Sequence, residues 1–135
     1  MKNLKFLQIV LLLTLCSCSA CEEEDDKLPG TKPEILIGKW ERLGSGGLFF
    51  DSHTYWERYE FTETGGMITR QYYNSEEQKF DIPKALGYFQ DWSYSEAEEK
   101  IHFVNHQGSR WYQYVLQIAP DSIVLGIGTY HKITN

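Results

Sequence analysis

The chain has 135 residues, with 13 lysines and arginines against 19 aspartates and glutamates, a net charge of −6. It is 41% apolar and 15% aromatic, which excludes a disordered chain and supplies one modest core, so at most one domain is expected. A surface of negative sign repels phosphate backbones and argues against nucleic-acid partners.

Lys2 and Lys5 flank the start of an apolar run, Phe6–Leu15 (FLQIVLLLTL). At roughly ten residues it is half the length that spans a bilayer, and it fits the apolar region of a secretory signal. All three cysteines, Cys16, Cys18 and Cys21, cluster at its end, and none occurs later. A disulfide scaffold would distribute them through the domain. The stretch instead resembles a bacterial lipoprotein signal, in which an apolar residue, a spacer and a small residue precede the cysteine to be acylated. Leu15-Cys16-Ser17 before Cys18 fits that pattern, and Cys18-Ser19-Ala20 before Cys21 is the alternative. The resemblance implies a signal peptide over 1–17 and a lipid anchor in the outer membrane of a cell envelope, with the membrane as partner.

Glu22–Asp26 (EEEDD) follows. Five like charges in a row read as a solvated linker. The same run also resembles the export signal of surface-exposed lipoproteins in Bacteroides-like bacteria, so a surface-exposed and a periplasm-facing anchor both stay open. Pro29, Gly30 and Pro33 discourage regular structure, which predicts a tether over 18–33 and a folded domain over 34–135. Removal of 1–17 leaves 11 basic residues against 19 acidic, a balance of −8, and cysteine-free packing in the domain.

From residue 34 the chain reads as short strands between turn signals. Ile35–Leu43 is the first, entered by a helical turn that Pro33 would begin. Gly44-Ser45-Gly46-Gly47 breaks it, and Leu48–Thr54 is ambiguous. Tyr55–Phe61 alternates, with Tyr55, Tyr59 and Phe61 on one face; Glu57 interrupts that face and is expected to be an edge-strand charge rather than an inward polar group. Thr62–Gly66 is a hairpin turn, whose glycines can take positive φ, and Met67–Tyr73 is the partner strand. Asn74–Ala85 is polar and limited by Pro83, which predicts a loop. Leu86–Tyr94 follows as one strand with Tyr88, Trp92 and Tyr94 in phase. Lys100–Asn105 sets Ile101 and Phe103 on one face. Arg110–Ala119 sets Tyr112, Tyr114, Leu116 and Ile118 opposite Trp111, Gln113, Val115 and Gln117. Pro120-Asp121-Ser122 turns the chain into Ile123–Ile127 and Gly128–Ile133.

The prediction is an all-β fold, an antiparallel up-and-down meander of about eight strands that must close or cover its edges. Gly38-Lys39-Trp40 on the first strand resembles the Gly-x-Trp signature of lipocalins. The phrases Trp92-Ser93-Tyr94, Lys100–Phe103 and Tyr114–Ile118 are similar to those of small lipocalin-like domains in Bacteroides-type lipoproteins. The resemblance spans residues 34–135 and implies a lipocalin-like barrel. It also implies that Trp40 plugs the closed end beside Gly38, under a basic side chain from the last strand, for which Lys132 is the candidate. Lipocalins more often place arginine there, and their carboxy-terminal helix and disulfide are missing.

Catalytic signals are absent from the sequence. His102 and His106 are four apart, a spacing that converges on a helix but not on a strand followed by a turn, so no metal is expected. Gly44–Gly47 lacks the lysine of a phosphate-binding loop, and no serine or cysteine sits as a nucleophile. No cofactor and no enzymatic activity are expected. The aromatics instead suggest a cup whose amphipathic rings suit a small apolar or amphipathic ligand. Tyr59, Tyr72, Trp92, Tyr94 and Tyr114 are the candidate ligand-binding residues. The competing expectation is a solid barrel that works as a protein-interaction or inhibitor module through loops Gly44–Thr54 and Asn74–Leu86.

Overall fold

Alternation of apolar and polar side chains puts most of the chain after Gly38 into strands. A computed structural model describes residues 27–45 and 53–134. The predicted signal, Cys16, Cys18, Cys21, the acidic run and most of Leu48–Thr54 lie outside the described residues. A 3-10 turn over Glu34–Leu36 leads into ten strands: β1 Gly38–Gly44, β2 Tyr55–Thr62, β3 Gly65–Asn74, β4 Lys79–Phe80, β5 Lys84–Phe89, β6 Asp91–Ser95, β7 Lys100–Val104, β8 Arg110–Ile118, β9 Ser122–Leu125 and β10 Gly128–Lys132.

Every pairing is antiparallel. The sheet order is β4-β3-β2-β1-β10-β9-β8-β7-β6, with β5 also paired to β3. The last strand therefore returns to the first, and the sheet curls into a half-barrel consistent with a lipocalin-like barrel. No ladder joins β5 to β6, so the wall is open there among the described residues.

Several boundaries differ from the sequence expectation. The first strand begins at Gly38 rather than Ile35, because the 3-10 turn takes Glu34–Leu36, and Pro33 precedes that turn in extended conformation. The segment Asn74–Ala85 is not a plain loop: β4 pairs Tyr73 with Phe80 and Asn74 with Lys79. Pro83, which has no N–H to give, falls between β4 and β5 where the edge strand is interrupted. Leu86–Tyr94 is two strands, since β5 pairs β3 whereas β6 pairs β7. The change of partner falls at Gln90, whose N–H donates to the Val104 carbonyl at 2.9 Å. It also breaks the expected phase, so that Phe89 and Trp92 are buried while Tyr88 is exposed.

The predicted tether reaches too far. Thr31 forms an antiparallel bridge with Tyr94, Ser93 donates to the Pro29 carbonyl at 2.6 Å, and Lys32 donates to the Glu63 carbonyl at 2.8 Å and pairs with Asp91. Residues 29–33 thus belong to the folded domain.

The register stacks interior side chains in rows across β1, β2 and β3. One row is Gly38, Phe61 and Gly66. The next is Trp40, Tyr59 and Ile68, the third Arg42, Glu57 and Arg70, and the last Gly44, Tyr55 and Tyr72. The core around the first two rows is aromatic: Phe61 meets Trp92 at 4.9 Å and Phe89 at 5.7 Å between ring centres, and Phe89 meets Phe103 at 5.1 Å.

Candidate functional site

Gly38, Trp40 and Lys132 lie together. Trp40 is fully buried and its indole N–H donates to the Leu36 carbonyl at 2.8 Å. Lys132 pairs with Trp40 across β1 and β10, and its ammonium lies 5.1 Å from the indole ring centre, within cation–π range. The same ammonium donates to the Ile35 carbonyl at 3.1 Å. Gly38 has φ +128°, and a Cβ there would approach Lys132 Cε to 3.1 Å, so both backbone conformation and space favour glycine.

The five candidate ligand aromatics do not form one site. Tyr59 and Trp92 are buried, and Trp92 is held in the core by its indole bond to the Thr62 carbonyl at 2.7 Å. Tyr94 lies at a separate cleft of about 510 Å³ beside Thr31 and Ile118. Tyr114 faces outward, 50% exposed, with the Lys100 ammonium 5.2 Å from its ring centre. Tyr72 is 37% exposed, in the row with Tyr55. The reason is the choice of faces: on β8 the inner face carries Trp111, Gln113 and Val115, leaving Tyr112, Tyr114 and Leu116 outside.

Glu57 is not an edge charge. It is 2% exposed and faces the interior from a central strand. Its neighbours on either side supply the counter-charges. Arg70 donates Nε to Glu57 Oε2 at 2.6 Å, with Nη2 also 2.6 Å from that oxygen. Arg42 donates Nε and Nη2 to Oε1 at 3.4 and 3.3 Å. The Tyr130 hydroxyl donates to Oε1 and accepts from Arg42 Nε at 2.9 Å. Tyr55 accepts from Arg42 at 3.2 Å, and its ring centre is 4.6 Å from the Arg70 guanidinium. Gly44 makes room for that ring, since a Cβ there would come within 2.5 Å of it.

Burial pushes the Glu57 carboxyl up, but the hydrogen bonds from Tyr130 and Arg70 and the charges of Arg70 and Arg42 outweigh it, and the pKa falls below the ordinary carboxylate value. Burial, then the hydrogen bond to that carboxylate and its charge, raises the Tyr130 hydroxyl. Burial and then the Glu57 charge push Tyr59 up to about 12. The cluster is therefore two guanidinium ions, one carboxylate and neutral phenols. No buried side-chain nitrogen or oxygen lacks a partner among the described residues.

Arg70 and Tyr59 also line an open cavity of about 650 Å³. Ile68, Leu86, Gly87 and Tyr88 form one wall, Trp111 and Gln113 of β8 the other, and the turn residues Asn105, His106, Gln107 and Ile127 the rim. The cavity thus lies between β3 and β5 on one side and β8 on the other. His106 lies on its rim while His102 pairs with Glu98, and no group of three histidine, cysteine, aspartate or glutamate side chains converges as for a metal among the described residues.

Sequence reasoning passed over Arg42, Arg70 and Tyr130. The signal was present in the period of two: Arg42 shares a face with Trp40, and Arg70 with Ile68 and Tyr72. Comparison with protein-family models, with curated proteins and with solved structures found no match.

Proposed function

We propose that this protein is a lipid-anchored cell-envelope lipoprotein, of the lipocalin-like kind that its sequence resembles, whose half-barrel binds one small apolar or amphipathic molecule. It is a binding module rather than a catalyst. The observation that carries this reading is the cavity of about 650 Å³. That volume lies within the ~300–1,000 Å³ range of ligand pockets, and an apolar wall with a few polar groups suits such a site. It also weighs against the alternative of a solid barrel acting through its loops as an interaction or inhibitor module.

Gly87 offers the test. It pairs with Ile68 on the cavity wall, and a Cβ there meets nothing within 4 Å. Gly87→Phe places a ring at this wall, starting from a Cβ that has open space around it. Native mass spectrometry of the purified chain is expected to find a bound small molecule, and Gly87→Phe to lose it. No bound molecule, together with no saturable uptake of phenylnaphthylamine, overturns the reading.

The anchor rests on Leu15-Cys16-Ser17-Cys18. Cys18→Ala is expected to abolish palmitate incorporation and membrane partition. Normal anchoring of that variant moves the assignment to Cys21, and normal anchoring of both single variants and their double overturns the lipid anchor.

A further inference from the structure

We propose that the ligand of this cavity carries a negative charge on an apolar body, and that Arg70 receives the charge. The inference rests on reading the cavity as a ligand site and adds the chemistry of what enters it. Three observations converge on it.

The first is the lining. Arg70 is its one permanently charged residue, and no carboxylate lines the cavity among the described residues, in a chain whose net charge is −6. A protein rich in acidic residues has kept them away from this wall.

The second is the charge count of the polar row. Arg42 and Arg70 converge on a single carboxylate, Glu57, and guanidinium stays protonated at any physiological pH. Within this row one positive charge is left over among the described residues. Of the two cations, Arg70 is the one at the cavity, with its side chain 31% exposed against 17% for Arg42.

The third is geometry. Glu57 holds Nε and Nη2 of Arg70, which fixes the plane of the fork. Its Nη1 has only a 3.5 Å contact with the Tyr72 hydroxyl, at the outer limit of a hydrogen bond. A preoriented donor with hydrogen-bonding capacity to spare stands in the same cavity as the apolar side chains of Ile68 on one wall and Trp111 on the other. There an incoming anion gains more from the charge than it would in water. An apolar body against Ile68 and Trp111 with its anionic group at Arg70 satisfies both halves of the site.

The test compares two dyes with the same aromatic body, anilinonaphthalene sulfonate and the neutral phenylnaphthylamine, titrated by fluorescence into the purified full-length chain. The sulfonate is expected to bind about tenfold more tightly or better, the increment of one charge-assisted hydrogen bond. Equal affinities overturn the anionic assignment and leave the cavity reading standing. Absence of saturable binding by either dye overturns the anionic assignment, and together with no bound molecule in native mass spectrometry it overturns the cavity reading as well. Arg70→Met is expected to bring the sulfonate to the affinity of the neutral dye, and a preference that persists in this variant overturns the role of Arg70. Gln113→Glu gives a second readout that leaves the Glu57 cluster intact, because it places a carboxylate on the lining. It is expected to lower the ratio of sulfonate to neutral affinity by about tenfold, and an unchanged ratio overturns the proposal.

Discussion

The hydroxyl of Tyr130, on the last strand, donates to the buried carboxylate of Glu57, on the second. These residues belong to strands that are not neighbours in the sheet, since β1 lies between them. Their bond therefore reports the curvature of the sheet rather than local pairing, and it ties the polar row shut across Arg42.

The first expectation concerns the stability of that row. Glu57→Ala leaves two guanidinium groups facing each other without the buried carboxylate that separates them. Removing one partner of a buried pair costs about 3–5 kcal/mol. Glu41 provides the contrast: it pairs with Arg58 at 2.8 Å, but both side chains are about 30% exposed, where such pairs contribute roughly 0–1 kcal/mol. Denaturant unfolding of Glu57→Ala and Glu41→Ala should separate by at least 2 kcal/mol. Equal losses would mean that the interior charge is solvated.

Acid should act through the same carboxylate. Its ordinary value is 4.5, and the fold lowers it. A depressed folded pKa gives stability that is present above the unfolded value and disappears as pH falls through the folded one. Unfolding free energy should therefore hold down to about pH 4.5 and decline below it. The decline should be shallower in Glu57→Gln, as denaturant midpoints measured at a series of pH values will show.

Alkali should act through the phenols. Tyr59 has its pKa raised from 10.0 to about 12, and Tyr130 is raised as well. A raised folded pKa gives stability that is full below the unfolded value and lost as pH climbs through the folded one. The fold should weaken above pH 10, with Tyr59 and Tyr130 missing from the tyrosinate absorbance until it opens. Tyr59→Phe and Tyr130→Phe should each shrink that delayed signal and leave the early one unchanged.

Trp40 should dominate the core beside β10. Truncating a fully buried tryptophan costs about 3–5 kcal/mol, so Trp40→Ala should show that loss in chemical denaturation, whereas a loss under about 1 kcal/mol would mean that the indole is not the plug. Lys132→Met keeps the stem over the ring and removes the cation, which at a partly exposed site is worth about 0.5–1 kcal/mol. Lys132→Arg should hold or gain stability, because guanidinium stacks on indole better than ammonium does.

Gly38 is tested separately. Its φ of +128° lies where side chains are rarely found, and strain of that kind costs of order 1–3 kcal/mol. Gly38→Ala should lower the unfolding free energy by that amount, and a neutral result would show that the turn into β1 can relax.

Much of this molecule follows from its residues taken in order. Turn signals and alternation delimit β2, β3, β7, β8, β9 and β10 to within a few residues, because a strand with one buried face must alternate. The Gly-x-Trp resemblance put Trp40 inside, while the same period set Glu57 among aromatics. It could not say that β8 would turn Tyr114 outward and Trp111 inward, since alternation defines two faces without choosing between them. Nor could it find the break at Gln90, which exists because β5 and β6 pair with different strands. In the linear chain Arg42, Glu57 and Arg70 are separate charges on three different strands. They become a buried, interlocked row only when antiparallel register sets them side by side and curvature brings Tyr130 over them. The identity of the strands is local physics, while the polar row and the open cavity beside it are products of how the sheet pairs and curls.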